Sequence, residues 1–192
     1  ARERQSETLT AALDQMQAGN LAAAASEVEA LAQDGAPGPN ASARLLQAGV
    51  AAERANPADA AARLTALAAD GSAPQAMRDL ARLRLVALQF DTMDKGQVIA
   101  QLGPLARPDS PWFGSAGELV AMAYLEQGKR AEAGRLFADI ARTVSVPDPI
   151  RSRARQMAGV LGVDAIPNVE TFLQQQRQQG QSPAAPQPQP AA

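Results

Sequence analysis

Apolar residues recur along most of this chain at the three- and four-residue spacing of amphipathic helices, and turn residues interrupt them at intervals. In residues 6–18 the stripe is Leu9, Ala12, Leu13 and Met16. Gly19 and Asn20 break it, because glycine takes the left-handed cap that other residues resist. Residues 21–33 carry Ala24, Val28 and Leu31 on one face, and Asp34-Gly35 with Pro37-Gly38-Pro39 form a loop that closes a first helical hairpin. A second hairpin is predicted over 41–54 and 58–69 with its turn at Asn56-Pro57; Pro57 suits a first helical position, where no N–H is needed. A third covers 74–90 and 96–106 and turns at 91–95, with Pro104 expected to shorten or bend its second helix. The fourth covers 110–127 and 130–143 and turns at Gly128. Val146-Pro147-Asp148-Pro149 ends it, and residues 150–161 form one more helix, basic on one side, that caps the last hairpin.

The punctuation repeats. ALAQDGAP at 30–37 returns as ALAADGSAP at 66–74 and, degraded, as PLARPDSP at 104–111, so the period is 36 to 38 residues. A repeat of that length signals a solenoid, in which each unit buries its apolar face only against its neighbours. Beyond the cap, residues 162–179 are a Gln-rich extension, expected to be helical, with Val169, Phe172 and Leu173 as its only grip. Residues 180–192 are mostly Pro, Gln and Ala with little to bury, and are expected to be disordered or polyproline-like.

Composition narrows the chemistry. The chain has 192 residues, of which 44 are alanine and 3% aromatic, so its core is built from Ala, Leu, Val and Met and depends on close helix packing. It has no cysteine and no histidine. Disulfides, thiol nucleophiles, Ser-His-Asp triads, the usual zinc ligand sets and His-ligated haem are therefore excluded, and no cofactor is expected. A formal charge of -2 argues against a nucleic-acid binder. No stretch is long and apolar enough for a membrane span. The chain opens Ala1-Arg2-Glu3-Arg4 without methionine, which suggests part of a longer protein.

Ala121, Tyr124, Gly128, Ala133 and Phe137 have the spacing of the tetratricopeptide consensus. Small residues stand where the two helices cross, glycine turns, and Tyr and Phe fill the space between repeats. The first hairpin matches in part through Ala12, Gly19 and Ala24. SAPQAMRDLARLRLV at 72–86, LGPLA at 102–106 and SPWFGSAGEL at 110–119 are similar to the tetratricopeptide-like ancillary subunits of bacterial Sec translocons. The resemblance covers about residues 5–161. It implies an all-α, tetratricopeptide-like right-handed solenoid of about four hairpins plus the C-terminal capping helix, on the periplasmic face of the inner membrane. It further implies a single upstream membrane span, with residues 1–5 its juxtamembrane remnant and 6–161 the repeat domain. The implied partners are Sec translocon subunits, periplasmic chaperones and unfolded client chains. The alternative is a scaffold in a stable cell-envelope assembly or cell-division complex.

Two side-chain sets are candidates for partner binding. Arg78, Arg82 and Gln89 share one face with Gln75, opposite Leu80, Leu83 and Ala87, and read either as a polar inner stripe for a peptide or as a solvated face. Glu118, Met122 and Glu126 share a face of the helix that would line a tetratricopeptide groove, where methionine suits varied contacts; the same face also reads as ordinary surface. Trp112-Phe113 reads as a plug between the third and fourth hairpins, or as an aromatic binding patch. Gly128-Lys129 is no phosphate loop, since Ala123 stands where the first glycine belongs and Arg130 replaces Ser/Thr. Asn40-Ala41-Ser42 is a chance-level glycosylation triplet. Glu27 with Glu29, and Asp91 with Asp94, lack the apolar surroundings that would tune an acid–base pair. Catalysis is not expected.

Overall fold

The computed structural model of the chain describes residues 2–164. In that span lie α1 (Arg2–Gln17), α2 (Leu21–Glu27), α3 (Glu29–Asp34), α4 (Pro37–Glu53), α5 (Pro57–Ala69), α6 (Gln75–Gln89), α7 (Lys95–Leu102), α8 (Phe113–Glu126), α9 (Arg130–Arg142) and α10 (Asp148–Val160). Most of the expected Gln-rich extension and all of the Pro/Gln/Ala tail lie outside the described residues.

The helices form two rows. In one, α1, α4, α6, α8 and α10 pack each on the next; in the other, α2 with α3, α5, α7 and α9 each pack on the first helix of their own hairpin and of the following one. The core divides accordingly. Ala12, Val28 and Leu46 bury together between α1 and α4; Leu45, Leu67 and Ala81 between α4 and α6; Val86, Leu102 and Val120 between α6 and α8; Phe113, Phe137 and Ala158 between α8 and α10. Each cluster thus needs a whole hairpin and the first helix of the next, which makes the chain a helical repeat solenoid.

Three of the four first-to-second helix turns share one geometry. Gly19, Ala55 and Gly128 have φ of 79°, 56° and 75°. The following N–H of Asn20, Asn56 and Lys129 donates to the carbonyl of Gln15, Ala51 and Tyr124 at 2.8, 2.9 and 2.9 Å. This is the Schellman closure, which satisfies the last free carbonyls of a helix. Ala55 adopts it without glycine. Gly162 (φ 76°) ends α10 in the same way, with Val163 N–H donating to Ala158 at 2.9 Å. The capping helix therefore occupies the place of a further first helix, covering α8 and α9. The third turn has no left-handed residue. There the Lys95 ammonium takes over, donating to the carbonyls of Phe90 and Met93, lying 4.2 Å from the Phe90 ring centre and pairing with Glu126 at 3.4 Å.

Several boundaries differ from the sequence expectation, while the shortening expected at Pro104 is met. The second helix is interrupted at Val28 (φ -98°, ψ 2°), which keeps that fully buried side chain in the core. Pro37-Gly38-Pro39 is not loop but the first turn of α4, with Pro37 where a missing N–H costs nothing. The amide of Asn40 then donates to the Ala32 carbonyl at 2.8 Å. Ahead of Pro104, α7 stops at Leu102, and buried Leu105 pins the irregular stretch that follows. Finally, α8 begins at Phe113 rather than 110, and Phe113 and Trp112 part company. Trp112 packs between the third and fourth hairpins, whereas Phe113 fills the next core beside Phe137 and Ile140.

Candidate apolar groove on the first-helix row

Each first helix buries one stripe against its own hairpin and the next, and carries a second stripe that neither covers. Leu13, Gly49 and Met122 mark it, each six residues before the left-handed residue of its turn, Gly19, Ala55 or Gly128. Leu13 is 50% exposed, Met122 38% and Leu88 of α6 37%, high for residues of this size in a core built mostly of alanine and leucine.

At the N-terminal end these stripes enclose a cavity of about 450 Å³. Leu9, Leu13 and Met16 of α1 form one wall, Met77, Leu80 and Arg84 of α6 the other, and Ser42, Leu45, Leu46 and Gly49 of α4 the floor. Gly49 leaves the floor open: a Cβ there would stand 3.4 Å from Met16 Cε. The Ser42 hydroxyl and the Arg84 guanidinium are the polar side-chain groups of this lining. Arg84 makes no ion pair or side-chain hydrogen bond among the described residues. In the same half of the chain Arg44 pairs with Asp70, Arg63 with Asp59 at 2.9 Å, and Arg82 with Asp79 at 3.1 Å, whereas Arg54, like Arg84, makes no ion pair among the described residues.

The two sets of sequence-predicted residues fall differently on this surface. Glu118, Met122 and Glu126 occupy the α8 positions equivalent to Leu9, Leu13 and Gln17 of α1, counted back from Gly128 and Gly19. Met122 is open, whereas both carboxylates are engaged. Glu118 accepts two hydrogen bonds from Arg153 of α10, at 3.0 and 2.7 Å, and Glu126 pairs with Lys95. The Glu118 carboxylate also raises the Arg153 pKa further. Arg78, Arg82 and Gln89 do not line the cavity; at 100° per residue they fall on another side of α6 from Met77, Leu80 and Arg84. Arg78 donates to Gln75, Arg82 pairs with Asp79, and Gln89 is half-buried at the start of the third turn. Sequence reasoning passed over Met77, Leu80, Arg84 and the α4 floor. The available signal was an α6 with more apolar residues than one packing stripe requires.

Elsewhere the polar groups serve the scaffold. The Gln47 amide, buried on α4, donates to Glu29 at 2.9 Å and accepts from Arg63 at 3.1 Å, tying three helices together. Asp70 caps the second hairpin: the Ser72 hydroxyl, its N–H and Arg44 hold this carboxyl far below the usual carboxylate range. Among the described residues no group of three or more acidic side chains is placed to hold a metal, and no helix is long and apolar enough to cross a membrane.

A surface of uncovered leucine and methionine with little polar chemistry suits the holding of another chain. Comparison with curated proteins and with solved structures found no match. The family model for the tetratricopeptide repeat-like domain matches residues 1–144. The chain belongs to that tetratricopeptide repeat-like family, whose repeats act as scaffolds for protein–protein interaction.

Proposed function

We propose that this chain is a non-catalytic binding module that holds segments of other proteins in the groove of its first helices. The carrying observation is the cavity between α1, α4 and α6, walled by Leu9, Leu13, Met16, Met77 and Leu80 and left without a covering element among the described residues. An apolar surface of this kind is costly in water and gains free energy when a partner covers it.

We further propose that the module works at the periplasmic face of the bacterial inner membrane, beside the Sec translocon, receiving newly translocated chains and passing them to periplasmic chaperones. That assignment rests on the resemblance carried by residues 72–86, 102–106 and 110–119. A photo-crosslinking residue placed at Leu13 or Met122, in membranes from cells making the natural protein, tests both parts. Translocon subunits, chaperones or nascent chains are expected at both positions and not at exposed Thr65 on α5. Equal capture at Thr65 would remove the groove, and capture of cell-division proteins alone would replace the translocon by the scaffold alternative.

A further inference from the structure

The far side of α4 borders a second cavity, separate from the groove. At 100° per residue, Gln47, Val50 and Arg54 form a stripe turned away from the groove floor at Ser42, Leu45 and Gly49. There α4 meets α3 and the first turns of α5 around a space of about 240 Å³. The break of the second helix at Val28 falls beside it, with Ala25 before the break and Glu29 after it in the lining.

The polar part of this lining is peculiar to the second hairpin. Counted from the left-handed residues Gly19, Ala55 and Gly128, the place of Gln47 is taken by Ala11 in the first hairpin and Val120 in the fourth. The place of Arg54 is taken by Ala18 and Gln127, and that of Arg63 by Glu27 and Leu136. Those hairpins close without the polar set, so the repeat itself does not require it. Gln47 is 8% exposed, and burying an amide is costly unless both its ends find partners. Both of its bonds are made to residues of the cavity. Its Nε2 donates to Glu29 at 2.9 Å, and its Oε1 accepts from Arg63 Nη1 at 3.1 Å.

The bonds leave donors over. Arg63 spends Nε on Asp59 and Nη1 on Gln47, and its Nη2 has no partner among the described residues. The Arg54 guanidinium has none among them at all. Both carboxylates are engaged: Glu29 accepts from Gln33 at 2.7 Å as well as from Gln47, and Asp59 accepts from Arg63 at 2.9 Å. The group that completes this set is an anionic acceptor. A carboxylate matches the planar edge of a guanidinium. A dianion such as phosphate would set a second negative charge against Glu29 and Asp59. Val50 and Ala51 offer an apolar side to a short aliphatic stem.

We propose that the cavity between α3, α4 and α5 is a binding site for a single carboxylate on a short aliphatic stem, held by Arg54 and Arg63. The carboxylate belongs to an acidic side chain of a partner or to a free short-chain acid. The site lies outside the groove and does not depend on the groove reading.

The test titrates the full chain, labelled at its arginine side chains, and follows their N–H resonances by NMR. The probes are butyrate, its neutral counterpart butyramide, inorganic phosphate, and a short Gly/Ser peptide with one central glutamate. Butyrate is expected to shift the Arg54 and Arg63 signals saturably, butyramide to leave them in place, and phosphate to bind several-fold more weakly. Arg54→Gln should weaken butyrate about tenfold. Arg135→Gln, an exposed arginine of α9, should change nothing, and melting curves check folding. A peptide that binds several-fold more tightly than butyrate identifies the source as a partner's side chain; equal binding identifies a free acid. Equal shifts with butyramide, tighter binding of phosphate, butyrate binding unchanged in folded Arg54→Gln, or equal unsaturating shifts at Arg54 and Arg135 would each overturn the site.

Discussion

On α4, Gly49 faces the open cavity, and a Cβ added there would meet only Met16 Cε, at 3.4 Å. On α8, Gly117 faces the interior, and its Cβ would lie 2.8 Å from Ile140 Cδ1, with Phe113 behind at 3.6 Å. A Cβ added at Gly114 or Gly134 would be equally confined, 2.8 Å from Val146 Cγ1 and 2.7 Å from Val163 Cγ2. The same residue thus keeps a site open at one end of the solenoid and brings helices together at the other. The C-terminal end is further closed by Glu118–Arg153 and Lys95–Glu126, although Met122 stays open there, while at the N-terminal end Leu13 is bare and Met16 and Met77 are half-buried in the cavity wall. Binding capacity and tight packing are therefore divided along the repeats.

Truncating the closed end gives the largest effect. Phe137→Ala, at 2% exposure, is expected to cost about 3–4 kcal/mol, whereas Leu13→Ala at the open end should cost under about 0.5 kcal/mol. Urea melts of both variants decide; similar losses would mean that the two ends are packed alike. Glycine to alanine should change sign between them. Gly117→Ala is expected to destabilise by about 1 kcal/mol, because overpacking against buried Ile140 outweighs the gain in helix propensity. Gly49→Ala should stabilise by about 0.5–1 kcal/mol, since an alanine helix interior costs less entropy and the cavity gives room. Thermal melts of the pair read that difference, and a loss at Gly49 would show a floor tighter than the cavity implies.

The turns offer a smaller test. Ala55→Gly should stabilise by up to about 1 kcal/mol by removing left-handed strain, and Gly128→Ala should cost a similar amount. Parallel denaturation curves check both signs. The smallest expected effect is at Asp70, where Ser72 and Arg44 depress the folded-state pKa. The unfolded carboxyl titrates near its ordinary value of about 3.9, so Asp70 stabilises fully above about pH 4 and progressively less as pH falls towards the depressed value. In Asp70→Asn that part of the acid-side slope should vanish. Urea midpoints from about pH 6 to pH 3 compare the two proteins, and an unchanged slope would remove Asp70 as a source.

By itself the sequence determined the repeat. Helical spacing, Gly19 and Gly128 at turns, Pro57 opening α5 and the recurring ALA-DG-AP segments are local signals, since each follows from backbone geometry within a few residues. Ala55 shows where locality ends. Nothing in its side chain announces a positive φ, which is held by the 2.9 Å bond from Asn56 to Ala51 and the Asn56 cap on α5. Pro37-Gly38-Pro39 reads as loop by composition and became helix because α4 packs on α3 and α5. The α8 face of Glu118, Met122 and Glu126 could be found from the consensus turn. The groove at Leu13, Gly49, Leu80 and Arg84 could not, because only tertiary packing decides which apolar stripe a neighbouring helix covers and which it leaves for a partner.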